Sequence, residues 1–149
     1  MIRNEPIRVL LADDDIDDQL LFREAFDGIK IKTVVETVKN GIELMDHLLQ
    51  PGIILPHILF LDLNMPVKAG LECLCEIRRI PLLKDIAIVI YSTTSSDRHI
   101  EESFINGANV YLQKPGDFTS LKKVLAEVIT INWQYQTSGL NRDNFLLSL

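Results

Sequence analysis

The chain has 149 residues, 47% of them apolar and 24% charged, enough for one domain with a proper core and too few for two. Its formal net charge of -6 excludes a general attraction to nucleic acid, whose binding is dominated by Lys and Arg neutralising phosphates. No stretch approaches the ~20 apolar residues of a membrane helix, and residues 1–6 lack the apolar core and cleavage site of a signal peptide; a cytoplasmic chain without membrane insertion is expected.

The first apolar run, residues 7–12, is a short β-rich segment that stops at Asp13, Asp14 and Asp15. Residues 17–26 read as a helix, with Leu21/Ala25 and Phe22/Phe26 paired at i,i+4 and Gly28 as its stop. Residues 32–38 are rich in β-branched side chains and read as a second strand. Asn40 and Gly41 then break the chain before a helix over 42–49, whose stripe is Leu44, Met45, Leu48 and Leu49. Residues 58–61 are continuously apolar, as expected of a strand buried on both faces.

The alternation continues. Residues 70–79 are helical, with Leu71, Leu74 and Cys75 on one side, and 86–91 form the most hydrophobic strand. A helix over 97–106 carries Ile100, Phe104 and Ile105 and closes at Gly107; residues 110–113 form a fifth strand. The final helix spans about 119–131, with Leu121, Val124, Leu125, Val128 and Ile129 at helical spacing. Cys73 and Cys75, the only cysteines, are poorly placed to bond to each other and are expected as free thiols.

Five β–α units in alternation imply an α/β fold, a parallel sheet with helices on both faces. The expected division is one domain over 1–131 and a C-terminal extension over 132–149. The extension holds Trp133, Tyr135, Phe145 and Leu146, too apolar for a solvated tail, and is expected to pack on the domain or on a second copy.

In such sheets ligands bind beyond the carboxyl ends of the strands. After the first strand come Asp13, Asp14 and Asp15; after the third, Asp62, Leu63, Asn64, Met65 and Pro66. Ser92, Thr93 and Thr94 follow the fourth, and Lys114 and Pro115 the fifth. Taken singly, such acids serve as helix caps or turn formers, and a Ser/Thr run as a cap. Their convergence on one edge is electrostatic in meaning. Several carboxylates in one pocket repel unless a cation joins them. Mg²⁺ suits one or two carboxylates, waters and a phosphate oxygen, and Mg²⁺ with an ammonium group neutralises a transferring phosphoryl. An Asp can then be the nucleophile that forms an acyl phosphate.

The ordered set Leu11-Ala12-Asp13-Asp14, Leu61 to Pro66, Ser92-Thr93 and Lys114-Pro115 resembles the response-regulator receiver domain of two-component signalling, over roughly residues 7–131. The resemblance implies a doubly wound, flavodoxin-like sheet of order 2-1-3-4-5. It implies Asp62 as phosphoacceptor and a Mg²⁺ site of Asp13, Asp14, Asp62 and the Asn64 backbone carbonyl. Lys114 would pair with the phosphoryl oxygens, followed by a cis proline at Pro115. Ser92, with Thr93 beside it, would be the hydroxyl switch, and Tyr111 the aromatic one, turning into space that Ser92 vacates. Asp15 matches no required position. Phosphoryl groups would come from a sensor histidine kinase or a phosphotransfer protein, and no separate catalytic or DNA-binding output fits the remaining residues, so the chain itself is not expected to be an enzyme.

Two features depart from the simplest pattern: Gly116 and Asp117 lengthen the loop before Phe118, and residues follow Ile131. Both resemble stand-alone receivers, partners of bacterial phytochrome kinases among them, whose C-terminal extension supports homodimerisation. A haloacid-dehalogenase-type phosphatase needs a second acid two residues after its nucleophile, where Asn64 stands. A flavin module of this fold would find aspartates where it needs a phosphate loop. A Ca²⁺ loop from Asp13 fails at Asp18, which takes the place of the turn glycine. A receiver that folds but is not phosphorylated stays open as an alternative.

Overall fold

The structure is a computed structural model that describes residues 5–94 and 96–138. Strands β1 (Ile7–Ala12), β2 (Thr33–Val38), β3 (Ile58–Leu61), β4 (Ala87–Ser92) and β5 (Val110–Gln113) form one parallel sheet in the order β2-β1-β3-β4-β5. Helices α1 (Ile16–Asp27), α2 (Gly41–Leu48), α3 (Gly70–Arg79), α4 (Asp97–Ile105) and α5 (Phe118–Ser138) connect and cover them. The expected doubly wound architecture and strand order are present. A 3-10 turn at Pro81–Leu83, ahead of β4, has no counterpart in the sequence reading.

Side-chain alternation along the strands feeds two cores. Leu10, Leu59, Leu61, Ile88 and Ile90 face α2 and α3, meeting Leu44, Leu48, Leu74 and Ile77. Val9, Leu11, Phe60, Val89 and Tyr91 face α1 and α5, meeting Phe22, Phe26, Leu121, Leu125 and Ile129. Central strands that bury both faces must be apolar throughout, which is why β3 reads Ile-Leu-Phe-Leu and is buried at all four positions.

Helix ends follow their capping residues. Asp15 accepts from the Asp17 and Asp18 amides and starts α1. The Asn40 side chain accepts from Glu43 N, and Glu43 reaches back to Lys39 N, a reciprocal cap on α2. Ser96 accepts from His99 N at the head of α4. Gly107, at φ +103°, follows α4 in a conformation that an L side chain resists. Asp117 accepts from both the amide and the hydroxyl of Ser120, so the longer β5–α5 loop ends in a cap for α5.

Several side-chain assignments change. In α3 the buried thiol is Cys73, with Cys75 only half-buried. Leu21 and Leu49 are largely exposed rather than part of the α1 and α2 stripes. In α4 only Ser103 is buried; Phe104 is partly exposed, and Ile105 is 72% exposed. Helix α5 runs past the expected end at residue 131 to Ser138. Packing of the side chains of 132–149 lies outside the described residues. No peptide bond among the described residues is cis, so Lys114–Pro115 is trans, against the expectation. The trans isomer of an X–Pro bond is favoured by ~0.5–1 kcal/mol unless its surroundings reward the cis form.

Candidate functional site

The parallel register itself assembles the site. The last paired residues of β1 and β3 are Ala12 and Leu61, so Asp13 and Asp62 occupy the next step. The ladder continues through both: Asp13 N donates to Val38 O at 3.0 Å and Asp62 N to Ala12 O at 3.0 Å. Lys114 lies one step beyond the Ser92–Gln113 pair, and its N donates to Ser92 O at 2.7 Å. Three chemically distinct side chains are thereby delivered to one edge by strand geometry.

Each buried acid has one oxygen fixed by its own turn. Asp13 Oδ1 accepts from Asp15 N at 2.9 Å, and Asp62 Oδ1 from Asn64 N at 3.0 Å. The second oxygens face inward toward Lys114, whose Nζ lies 2.7 Å from Asp13 Oδ2 and 3.5 Å from Asp62 Oδ2. Asp13 is wholly buried, Asp62 nearly so, and Asp14 exposed. Burial pushes the Asp13 carboxyl above its ordinary range, despite Lys114 and the Asp15 amide. Burial works to lower the Lys114 pKa, but hydrogen bonds to Asp13 and Asp18 outweigh it, and the group is raised overall.

Asp13, Asp14 and Asp62 offer carboxylate oxygens that all lie within 4.8 Å of one another. An all-oxygen donor set of this size and charge fits a hard divalent cation such as Mg²⁺. Asp14 and Asp62 line an open cleft of about 520 Å³ together with Asn64, Thr93, Lys114 and residues of the α1 head, and Asp13 lies buried behind it. Behind the cleft, a Cβ on Gly70 would come within 2.1 Å of Asp62 O, so the α3 head packs directly on the Asp62 backbone. Residue 70 has to be glycine for that approach.

The switch candidates are placed differently from one another. Ser92 is wholly buried and its Oγ accepts from Thr94 N at 3.3 Å. Thr93 is exposed on the cleft wall. Tyr111 is buried, with its hydroxyl donating to Thr94 O at 2.6 Å. Pro115 is half-buried beside Lys114.

Two participants escaped the sequence reading. Asp18, in the first turn of α1, holds Lys114 Nζ at 2.8 Å. Tyr91, at the end of β4, places its ring 5.2 Å from the same ammonium, a cation–π contact. The period-2 alternation of β4 puts Tyr91 opposite Ser92 in facing, which was the available signal; nothing local signals Asp18.

A doubly wound sheet with three clustered carboxylates and a converging lysine at its carboxyl edge is an acidic site whose donor set suits a hard divalent cation. The profile of the response regulator receiver domain matches residues 9–126, and the chain belongs to that family, acting in two-component signalling. It is 31% identical over 127 residues to the probable methanogenesis regulatory protein FilR2 of Methanothrix harundinacea, covering 83% of this chain and 82% of that protein. Similarity to response regulator Rcp1 of Synechocystis is also 31%, over 126 residues, covering 82% and 86%. The crystal structure of Rcp1 in its Mn²⁺-bound form superimposes with a TM-score of 0.76 at 27% identity, over 91% of this chain and 98% of that one. The phosphorylated cyanobacterial phytochrome response regulator RcpA gives a TM-score of 0.80 at 28% identity, over 92% and 98%. No helix among the described residues is long and apolar enough to cross a membrane.

Proposed function

We propose that the chain accepts a phosphoryl group on Asp62, with Mg²⁺ held by Asp13, Asp14, Asp62 and the Asn64 carbonyl, and that the added charge switches a surface read by a partner. The observation that carries this is the grouping of the three carboxylates within 4.8 Å, with Lys114 reaching in from β5. Bound Mg²⁺ supplies positive charge to the phosphoryl oxygens during transfer.

The donor would be a phosphohistidine on a sensor kinase or phosphotransfer protein. A carboxylate oxygen of Asp62 forms the new P–O bond as the donor's P–N bond breaks, and the bonding pair leaves with the imidazole nitrogen. Fixing Oδ1 on the Asn64 amide orients the carboxylate for attack without covering its other oxygen. Lys114 provides a cation for the transferred oxygens. Ser92 sits on the neighbouring strand, where its hydroxyl can donate to them. Because Thr94 N rests on Ser92 Oγ and Thr94 O receives Tyr111, a shift of Ser92 would reach β5 and the head of α4 through Thr94.

On this reading the chain turns over no substrate of its own. It acts in the cytoplasm and does not engage nucleic acid directly. Two copies pair through the C-terminal region, which size exclusion before and after phosphorylation would test.

The direct test is intact-mass measurement after incubation with acetyl phosphate and Mg²⁺. A single phosphoryl adduct on the wild type, absent from Asp62→Ala and absent with a chelator, is the expected result. A wild type that stays unmodified would overturn the reading.

A further inference from the structure

Lys114 is held by more than the acids that the chemistry requires. Its ammonium has three N–H donors. One goes to Asp13 Oδ2 at 2.7 Å and a second to Asp18 Oδ2 at 2.8 Å, while Asp62 Oδ2 stands off at 3.5 Å. Asp18 enters from α1, whereas Asp13, Asp62 and Lys114 sit on the edge of the sheet. It lines the same cleft and keeps a side-chain exposure of 31%, so it has somewhere to go when the lysine leaves.

We propose that Asp18 is a positioning residue that parks Lys114 against α1, away from Asp62, and must release it when a phosphoryl group arrives. The inference rests on the proposed phosphoryl chemistry of this site. Removing a competitor for the ammonium favours any state in which the ammonium serves another anion, by the free energy of the contact given up. A partly exposed charge pair is worth on the order of 1 kcal/mol, so the parked arrangement would weaken capture of a phosphoryl-like anion by about fivefold. The same exchange would leave Asp18 without its partner in the first turn of α1, coupling the occupancy of the site to that helix.

The test is the equilibrium affinity for beryllofluoride, a phosphoryl mimic, in the presence of Mg²⁺. Asp18→Asn is expected to tighten binding by about fivefold, and Asp18→Glu to restore the wild-type value to within about twofold. Loss of anionic repulsion alone would also tighten binding, so the pair of measurements is repeated in a Lys114→Met background. There the gain from Asp18→Asn should vanish, as a double-mutant cycle requires of two residues that act through each other. An unchanged affinity in Asp18→Asn, or a gain that persists without Lys114, overturns the proposal while leaving the phosphoryl chemistry intact. A wild type that binds no beryllofluoride overturns both.

Discussion

The guanidinium of Arg78 and the side-chain carbonyl of Asn109 meet at 2.8 Å, and the same carbonyl accepts from Ile88 N at 2.8 Å. Arg78 also donates to the main-chain carbonyls of Gly107, Lys84 and Ile86. One side chain at the end of α3 therefore ties that helix to the start of β4 and to the α4–β5 connection.

Arg78→Ala should cost about 2–3 kcal/mol, since it removes charge-assisted hydrogen bonds and leaves partly buried carbonyls unserved. Urea denaturation would read the loss. A change below about 0.5 kcal/mol, the range of ordinary surface substitutions, would show that the network carries nothing.

Val67 is β-branched, 80% exposed, and sits at φ +70° while Lys68 N donates to Pro66 O at 2.7 Å. That is a γ-turn of the strained, positive-φ kind. The left-handed conformation costs an L residue ~1–2 kcal/mol, while glycine gives back ~0.5–1 kcal/mol through its freer unfolded state. Val67→Gly should therefore raise stability by roughly 1 kcal/mol. A lower denaturation midpoint for the variant would count against the strain.

Gly70→Ala would set a methyl group 2.1 Å from Asp62 O and 2.8 Å from Leu63 Cα, so the backbone carrying Asp62 must move. Misplacement by about 1 Å can cost a reaction ~100-fold. The initial rate of Mg²⁺-dependent phosphorylation should fall by at least about tenfold, while circular dichroism still reports a folded chain. A normal rate in the folded variant would mean that α3 does not position Asp62.

The Cys73 thiol is fully buried, and burial pushes it up from 9.0 to about 11. The unfolded chain thus loses this proton first. The stability contribution is fully present below pH 9 and is lost as the pH rises through 11. Two units at 1.36 kcal/mol each make that about 2–3 kcal/mol. Over this window the wild type should lose more stability than Cys73→Ala, compared by denaturant titration at each pH. Parallel slopes would rule the thiol out.

Strand content was legible because apolar runs and their punctuation are local, and because Asp13, Asp62 and Lys114 each mark a strand's end, whereas the strand order followed only from the resemblance. The site edge could be read for the same reason: topology converts "next after the strand" into "next to each other". Helix faces were less legible. Ile100, Phe104 and Ile105 have a core-like spacing, yet spacing cannot say how far each is covered: Ile100 packs partly buried against the core, while Ile105 stays largely exposed. Cys73 and Cys75 differ by about 200° around α3 at 3.6 residues per turn, and only packing decides which turns inward. Asp18 looks like any acid in a helix's first turn, and its partner is 96 residues away. The burial of Tyr111 against Thr94 depends on the conformation of the β4–α4 loop, which no motif encodes.

The amides of Asp13, Asp62 and Lys114 are the final rungs of the sheet's own ladders. A domain built this way cannot melt its acidic edge separately from the sheet. Protons on those three amides should resist exchange with solvent to the degree that the flanking strands do, and any opening that frays β5 from β4 takes the lysine with it. The edge thereby inherits its integrity from folding: a copy with its sheet incomplete cannot present the three side chains together.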